Sequence, residues 1–139
     1  MASVSEWNSR VRWAECDAAG IIYHARVFDW FSEGRIVWLK EHQLDYYDHL
    51  RPLRIELLVK SATASFHHSL RPGDPIRLTV TADQLSPTRI TFHYQVLPLQ
   101  SPGLVALEGL TEHAFVVDGR AKRLDRAAPD VFAQFAQAL

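Results

Sequence analysis

With 139 residues, 47% of them hydrophobic and 22% charged, the chain has the size and composition of one globular domain with a real core, and a single domain over residues 1–139 is expected. A formal net charge of −1 and an isoelectric point near 6.6 give no footprint for nucleic acid or an anionic membrane, while leaving room for a local patch that holds a phosphorylated ligand. No apolar run reaches the roughly 18 residues of a membrane span, and the first residues lack the basic and then apolar pattern of a leader, so a cytoplasmic protein is expected.

Residues 11–14 are a short strand candidate. Residues 15–20 follow as a turn-rich loop carrying two carboxylates, Glu15 and Asp17, and closing on Gly20. Cys16 is the only cysteine, so no internal disulfide can form; its carboxylate neighbours disfavour a thiolate, which makes it a small packing residue. From about residue 23 to residue 42, Val27, Phe28, Trp30, Phe31, Val37, Trp38 and Leu39 recur at helical spacing and predict a long helix with a wide apolar face. Gly34 in its middle costs about 1 kcal/mol relative to alanine, which implies that something packs close to the backbone there. Residues 43–52 are polar and aromatic, end near Pro52, and fit a further turn or short helix.

Four β segments follow, at residues 55–66, 76–85, 89–97 and 104–117, joined by compact turns at 71–75 and 86–88 and a looser connection at 98–103. Their period-two alternation points to an antiparallel sheet with one buried face, and the long apolar helix is its natural cover. The fold class is α+β: a curved antiparallel sheet of about five strands wrapped around one long central helix. One helix leaves sheet edges and part of a face uncovered, so a homodimer or homotetramer is expected. Residues 129–139, with Val131, Phe132, Phe135 and Leu139 at helical spacing, suggest a short packed helix.

A carboxylate just ahead of a helix start is either a cap or turn residue or a reactive group, because the free N–H groups of the first turn attract an oxygen that carries negative charge. The run Glu15-Cys-Asp-Ala-Ala-Gly-Ile-Ile-Tyr-His24 resembles the motif of hotdog-fold acyl-CoA thioesterases of the 4-hydroxybenzoyl-CoA thioesterase type. The likeness continues through the apolar helix with Arg35, Leu70-Arg-Pro-Gly-Asp74 before a strand, and Ser86-Pro-Thr88 between two strands, covering about residues 8–120. It implies a hotdog fold that hydrolyses an acyl-CoA, with an aromatic or aryl-alkyl acyl group suggested by the aromatic helix.

In that resemblance Asp17 supplies the carboxylate that attacks the thioester carbon or activates water, and the backbone N–H of His24 polarises the carbonyl. A thioester has weak resonance and a good leaving thiolate, so positioning and charge stabilisation suffice without a serine triad, metal or cofactor. The His24 imidazole is a further candidate contact to substrate or water. Gly20 is expected to supply a positive φ or close substrate approach, with a plain turn glycine as the alternative. Tyr23, Glu15 and Ser32 are expected near the substrate. Ser32 stands where many relatives place an acyl-pocket carboxylate, which argues against a 4-hydroxybenzoyl group, and Glu15 is an auxiliary base or a partner for Arg12 or Arg35. For the CoA phosphates the candidates are Lys60, Arg71, Arg89 and Arg120, with Arg89 first because it follows Ser-Pro-Thr. His67 and His68 are adjacent and so should point to opposite faces of a strand, and His42, His49, His93 and His113 show no ligand spacing; no metal site is expected. Hydrolysis of an acyl group from a carrier protein, and a non-catalytic acyl-CoA-binding module, are the competing readings.

Overall fold

The computed structural model describes residues 4–139; residues 1–3, which open the stretch read for a leader, lie outside the described residues. Strands β1 (Val4–Arg10), β2 (Ile55–Phe66), β3 (Pro75–Ala82), β4 (Arg89–Pro98) and β5 (Leu107–Val117) form an antiparallel sheet in the order β1-β3-β4-β5-β2, and a two-residue β6 (Arg120–Ala121) adds to β5. The long helix α1 (Val27–Glu41) lies on one face, and short helices α2 (Leu124–Ala127) and α3 (Pro129–Gln137) end the chain. This is the hotdog arrangement.

Alternation makes the sheet. In β3 every second residue, Ile76, Leu78, Val80 and Ala82, is buried under the helix, while Arg77, Thr79 and Thr81 face away. In β4, Ile90, Phe92, Tyr94 and Val96 do the same, in register with Thr111 and Gly109 of β5. The helix answers with Val27, Trp30, Phe31, Trp38 and Leu39. Phe31 stacks on Tyr94 at 4.2 Å between ring centroids, and Trp38 meets Phe92 edge-on at 5.1 Å. Such fully buried side chains each stabilise by roughly 1.5–3 kcal/mol, so this layer is where the fold is held. Gly34 sits where α1 crosses β3, and a Cβ there would collide with the side chains of Leu78 and Val80, the close packing its position implies. Helix α3 closes one end by setting Phe135 against Trp38 and Phe115.

Two expected boundaries are corrected. The strand expected at 11–14 lies earlier, as β1, and pairs with β3; Trp13–Glu15 is instead a turn of 3-10 helix. The reason is local, because the Glu15 carboxylate reaches back to the Arg12 amide at 2.8 Å and bends the chain. The helix expected from residue 23 begins with a 3-10 turn at His24–Arg26 that runs into α1. The segment 43–52 is helical, as a π turn at Tyr46–Leu50 capped by Asp45, then a 3-10 turn at Arg51–Leu53. Strand β2 is an outer strand of 12 residues, and along it only Ile55 is buried.

Candidate active site

Residues 15–23 form a small hairpin. The Tyr23 amide donates to the Glu15 carbonyl at 2.8 Å and the Asp17 amide to that of Ile21 at 3.0 Å, while Gly20 turns the chain at φ +77°. That left-handed angle is the reason for glycine there, since a Cβ at Gly20 would meet open space. Two anchors hold the hairpin. On one side the turn at 71–74 receives it, with Ile22 N–H donating to the Leu70 carbonyl at 2.9 Å and Val11 N–H to that of Asp74 at 2.9 Å. On the other, the Glu15 carboxylate is buried and accepts hydrogen bonds from the Arg12 amide, the Arg12 guanidinium at 3.1 Å and the Trp30 indole of α1 at 2.8 Å. Burial alone would raise the Glu15 pKa, but these donors outweigh it and hold the group below its ordinary value, as a carboxylate. Glu15 is therefore the partner of Arg12 and of Trp30, not of Arg35, and it lies outside the cavity where Asp17 sits.

Asp17 is exposed at the hairpin tip. One carboxylate oxygen caps the turn by accepting the Ala19 amide at 2.8 Å, and the side chain lines a cavity of about 330 Å³ together with His24, Ile21, Ile22 and Phe66. His24 opens the helical turn that leads into α1. No side chain caps that turn, and its backbone N–H donates to no protein acceptor among the described residues, so a free amide donor belongs to a residue that lines the same cavity as Asp17. The His24 ring leans on Tyr23 at 4.5 Å; Tyr23 is exposed next to the cavity and does not line it.

His67, His68 and Ser69 complete the lining, and sequence reasoning missed them. The expectation that the two histidines face opposite ways is corrected. Strand β2 ends at Phe66, both imidazole-bearing residues lie in the connection beyond it, and both amides donate to the Ala106 carbonyl, at 2.8 and 3.0 Å. The only sequence signal was the Phe-His-His run just before the Leu-Arg-Pro-Gly-Asp turn that anchors the hairpin. Among the described residues no group of three His, Cys, Asp or Glu side chains is arranged to hold a metal ion. The Cys16 thiol is pushed up by burial and by Glu15, Asp17 and Asp74, which suits a packing role.

The remaining candidates lie elsewhere. Lys60 and Arg89 line a second cavity of about 370 Å³, which also gathers Lys122 and Arg123. Arg89 leaves the Ser86-Pro-Thr88 turn, where Ser86 Oγ accepts the Arg89 amide at 3.0 Å, and its guanidinium pairs with Glu112. Arg123 pairs with Asp125 at 2.8 Å, while Lys60 and Lys122 have no carboxylate in ion-pair reach among the described residues. Arg71 and Arg120 stay outside this cluster. Ser32 faces a third cavity, beside Arg35.

Comparison with known proteins identifies the family and the fold. A 1,4-dihydroxy-2-naphthoyl-CoA hydrolase from Rippkaea orientalis is 28% identical over 103 residues, 74% of this chain and 70% of the relative. A DHNA-CoA thioesterase from Staphylococcus aureus superposes with a TM-score of 0.88 at 23% identity, covering 96% of this chain and 89% of that one. A 1,4-dihydroxy-2-naphthoyl-CoA thioesterase from Synechocystis superposes with a TM-score of 0.79 at 18% identity, over 94% of this chain and 96% of that one. The structural matches give the shared fold. The sequence model of one family matches residues 11–136, nearly the whole described chain, from the hairpin through the last helix, and on that match the chain belongs to the thioesterase-like superfamily.

Proposed function

We propose that the protein hydrolyses an acyl-CoA to the free acid and CoA at the Asp17 cavity. What supports this most is one juxtaposition: a carboxylate with an uncommitted oxygen and the unpaired amide of His24 share a cavity at the start of the helical segment. The amide, aided by the helix dipole, polarises the thioester carbonyl and stabilises the charge that develops on its oxygen. The Asp17 carboxylate either adds to the carbonyl carbon, giving an anhydride that water then opens, or takes a proton from the attacking water. In both routes the C–S bond breaks and the thiolate leaves as CoA. The family name supports the reaction class, and the relatives named for aryl-CoA substrates support an aromatic acyl group.

The lysines at 60 and 122, with Arg89 and Arg123 beside them, form a basic cavity suited to the nucleotide phosphates of CoA. A second copy of the chain pairs along β2, whose long outer edge carries Leu58, Val59 and Phe66 half exposed, at 51%, 47% and 45%. The deciding experiment is thiol release from a panel of acyl-CoAs by the wild type and by Asp17→Asn. At least about a hundredfold loss of kcat in the variant is expected, the usual cost of removing a principal catalytic group. Equal rates would remove Asp17 from the mechanism. No release from any acyl-CoA, with release from an acyl carrier protein, would replace the substrate while keeping the chemistry.

A further inference from the structure

Further along α1, on the side of Ser32 and Arg35, the helix faces Leu57 of β2 and the 45–47 segment across a cavity of about 280 Å³. Ile36, Leu39, Leu57 and Tyr46 give it mostly apolar walls, and Arg35 is the only cationic side chain on them. The guanidinium is fixed in place. Nη1 donates to the Tyr94 hydroxyl at 3.1 Å and Nη2 to Ser32 Oγ at 3.0 Å, while Ser32 sends its own hydrogen to the Phe28 carbonyl at 3.1 Å.

Behind Arg35 a chain of hydrogen bonds runs through the core: Tyr94 to Thr111 at 2.6 Å, Thr111 to His113 Nε2 at 2.8 Å, and His113 Nδ1 to the Leu57 carbonyl at 3.3 Å. The Leu57 carbonyl only accepts, so Nδ1 of His113 carries a hydrogen; with the ring neutral, Nε2 accepts from Thr111, Thr111 accepts from Tyr94, and the Tyr94 oxygen accepts from Arg35. Burial keeps the Tyr94 phenol protonated and, together with the Arg35 charge, pushes His113 down to about 4. The network therefore orients the guanidinium without neutralising it. No carboxylate is in ion-pair reach of Arg35 among the described residues. Asp45 also borders the cavity; its Oδ1 accepts the amides of Tyr47 and Asp48, at 2.9 and 3.0 Å, and it makes no ion pair with Arg35.

A held cation with no ion-pair partner among the described residues, in a mostly apolar recess, asks for one kind of ligand. We propose that this cavity binds a small acid with an apolar body, its carboxylate on the remaining N–H groups of Arg35 and its body against Ile36, Leu39 and Leu57. The planar fork of a guanidinium matches a carboxylate in shape, and desolvation by the walls strengthens that pairing. A volume of about 280 Å³ accommodates a small acid. The occupant is either a free carboxylic acid, such as hydrolysis releases, or the far end of an acyl group that carries its own carboxylate. Binding of a free acid does not depend on the Asp17 reading.

Calorimetric titration of benzoate and hexanoate against benzamide and hexanamide tests it, with the wild type, Asp17→Asn, Arg35→Gln and Ile36→Trp. Acids should bind about tenfold or more tighter than amides in the wild type and equally so in Asp17→Asn, which separates this site from the catalytic one. Arg35→Gln should erase the preference. Ile36→Trp, at a half-exposed wall position that leaves the guanidinium network intact, should weaken acid binding by a similar factor. In a second arm, kcat/KM is compared for acyl-CoAs ending in a carboxylate and equally long ones ending in a methyl group. An Arg35-dependent preference there identifies the acyl end as occupant, and one confined to calorimetry identifies the free acid. Absence of the preference in both arms, its survival in Arg35→Gln, or unchanged acid binding in Ile36→Trp overturns the proposal.

Discussion

Acidification should destabilise this fold through one buried histidine, by an amount the structure lets us work out. His113 is fully buried in β5 between Phe92, Thr111 and the Leu57 carbonyl. Desolvation first, and the Arg35 charge second, lower its pKa from 6.5 to about 4 against a weaker opposing effect of the Leu57 hydrogen bond. Between these two values the unfolded chain binds a proton that the folded chain does not, so stability rises with pH across the window and falls as pH drops. The interval from 6.5 down to about 4 corresponds to about 3 kcal/mol, present in full above pH 6.5 and lost by about pH 4. Carboxylates of the unfolded chain begin to take up protons in the lower part of the window, so the measurement has to be a difference. Urea unfolding of the wild type and of His113→Gln, which keeps one donor and one acceptor but cannot take a proton, is compared at steps from pH 7 to pH 4. The wild type should lose about 3 kcal/mol more than the variant over that range. Parallel curves for the two proteins would refute the assignment of a neutral, buried His113 and the hydrogen-bond directions that follow from it.

Glu15→Ala should cost about 1–3 kcal/mol of stability because it leaves the Trp30 indole N–H buried without a partner, whereas Asp17→Ala, at an exposed tip, should cost under about 1 kcal/mol; thermal unfolding of both checks the ordering. Sedimentation at micromolar concentration should show a dimer or tetramer, and Leu58→Glu with Val59→Glu on the open edge of β2 should shift it toward monomer; a wild type that sediments only as monomer would contradict the shared edge.

Strands β3 to β5 were legible in the sequence because their alternation is set by burial on one face, and a sheet face shows in the pattern of residues whatever its neighbours are; β2, buried only at Ile55, was legible from its apolar Leu57, Val59, Ala62 and Ala64. Strand β1 was not, because as an outer strand it carries Ser5, Glu6, Asn8 and Ser9 around Trp7, with only Val4 as a second large apolar residue, and offers no alternation of large apolar side chains to read. Gly34 announced a close approach, yet only the topology names β3 as what approaches. The candidate site divides the same way. Asp17, Gly20 and His24 sit within one local run, so their spacing carried the information. Phe66, His67 and His68 reach the same cavity only because the 71–74 turn clamps the hairpin, and Lys122 and Arg123 join Lys60 and Arg89 only because β6 doubles back on β5. Contacts made by long-range pairing leave no period in the sequence.

The two carboxylates of the hairpin show how placement, and not chemistry alone, assigns work. Glu15 and Asp17 are two residues apart and differ by one methylene. Glu15 points under the loop, where the Arg12 amide, the Arg12 guanidinium and the Trp30 indole occupy its oxygens, so any proton or carbon it could attack is out of reach. Asp17 is exposed, spends one oxygen on the Ala19 amide, and lines the same cavity as His24, whose amide has no protein acceptor among the described residues. The first arrangement makes the second possible. A tip residue holds a geometry useful for reaction only if the loop beneath it is rigid, and the rigidity here comes from the buried acid that ties the hairpin to α1. Loosening that tie should therefore slow turnover even where Asp17 is untouched, so Glu15→Gln, which keeps the side-chain shape, should fold and yet lose kcat. Full activity in that variant would mean that the 71–74 turn alone sets the position of Asp17.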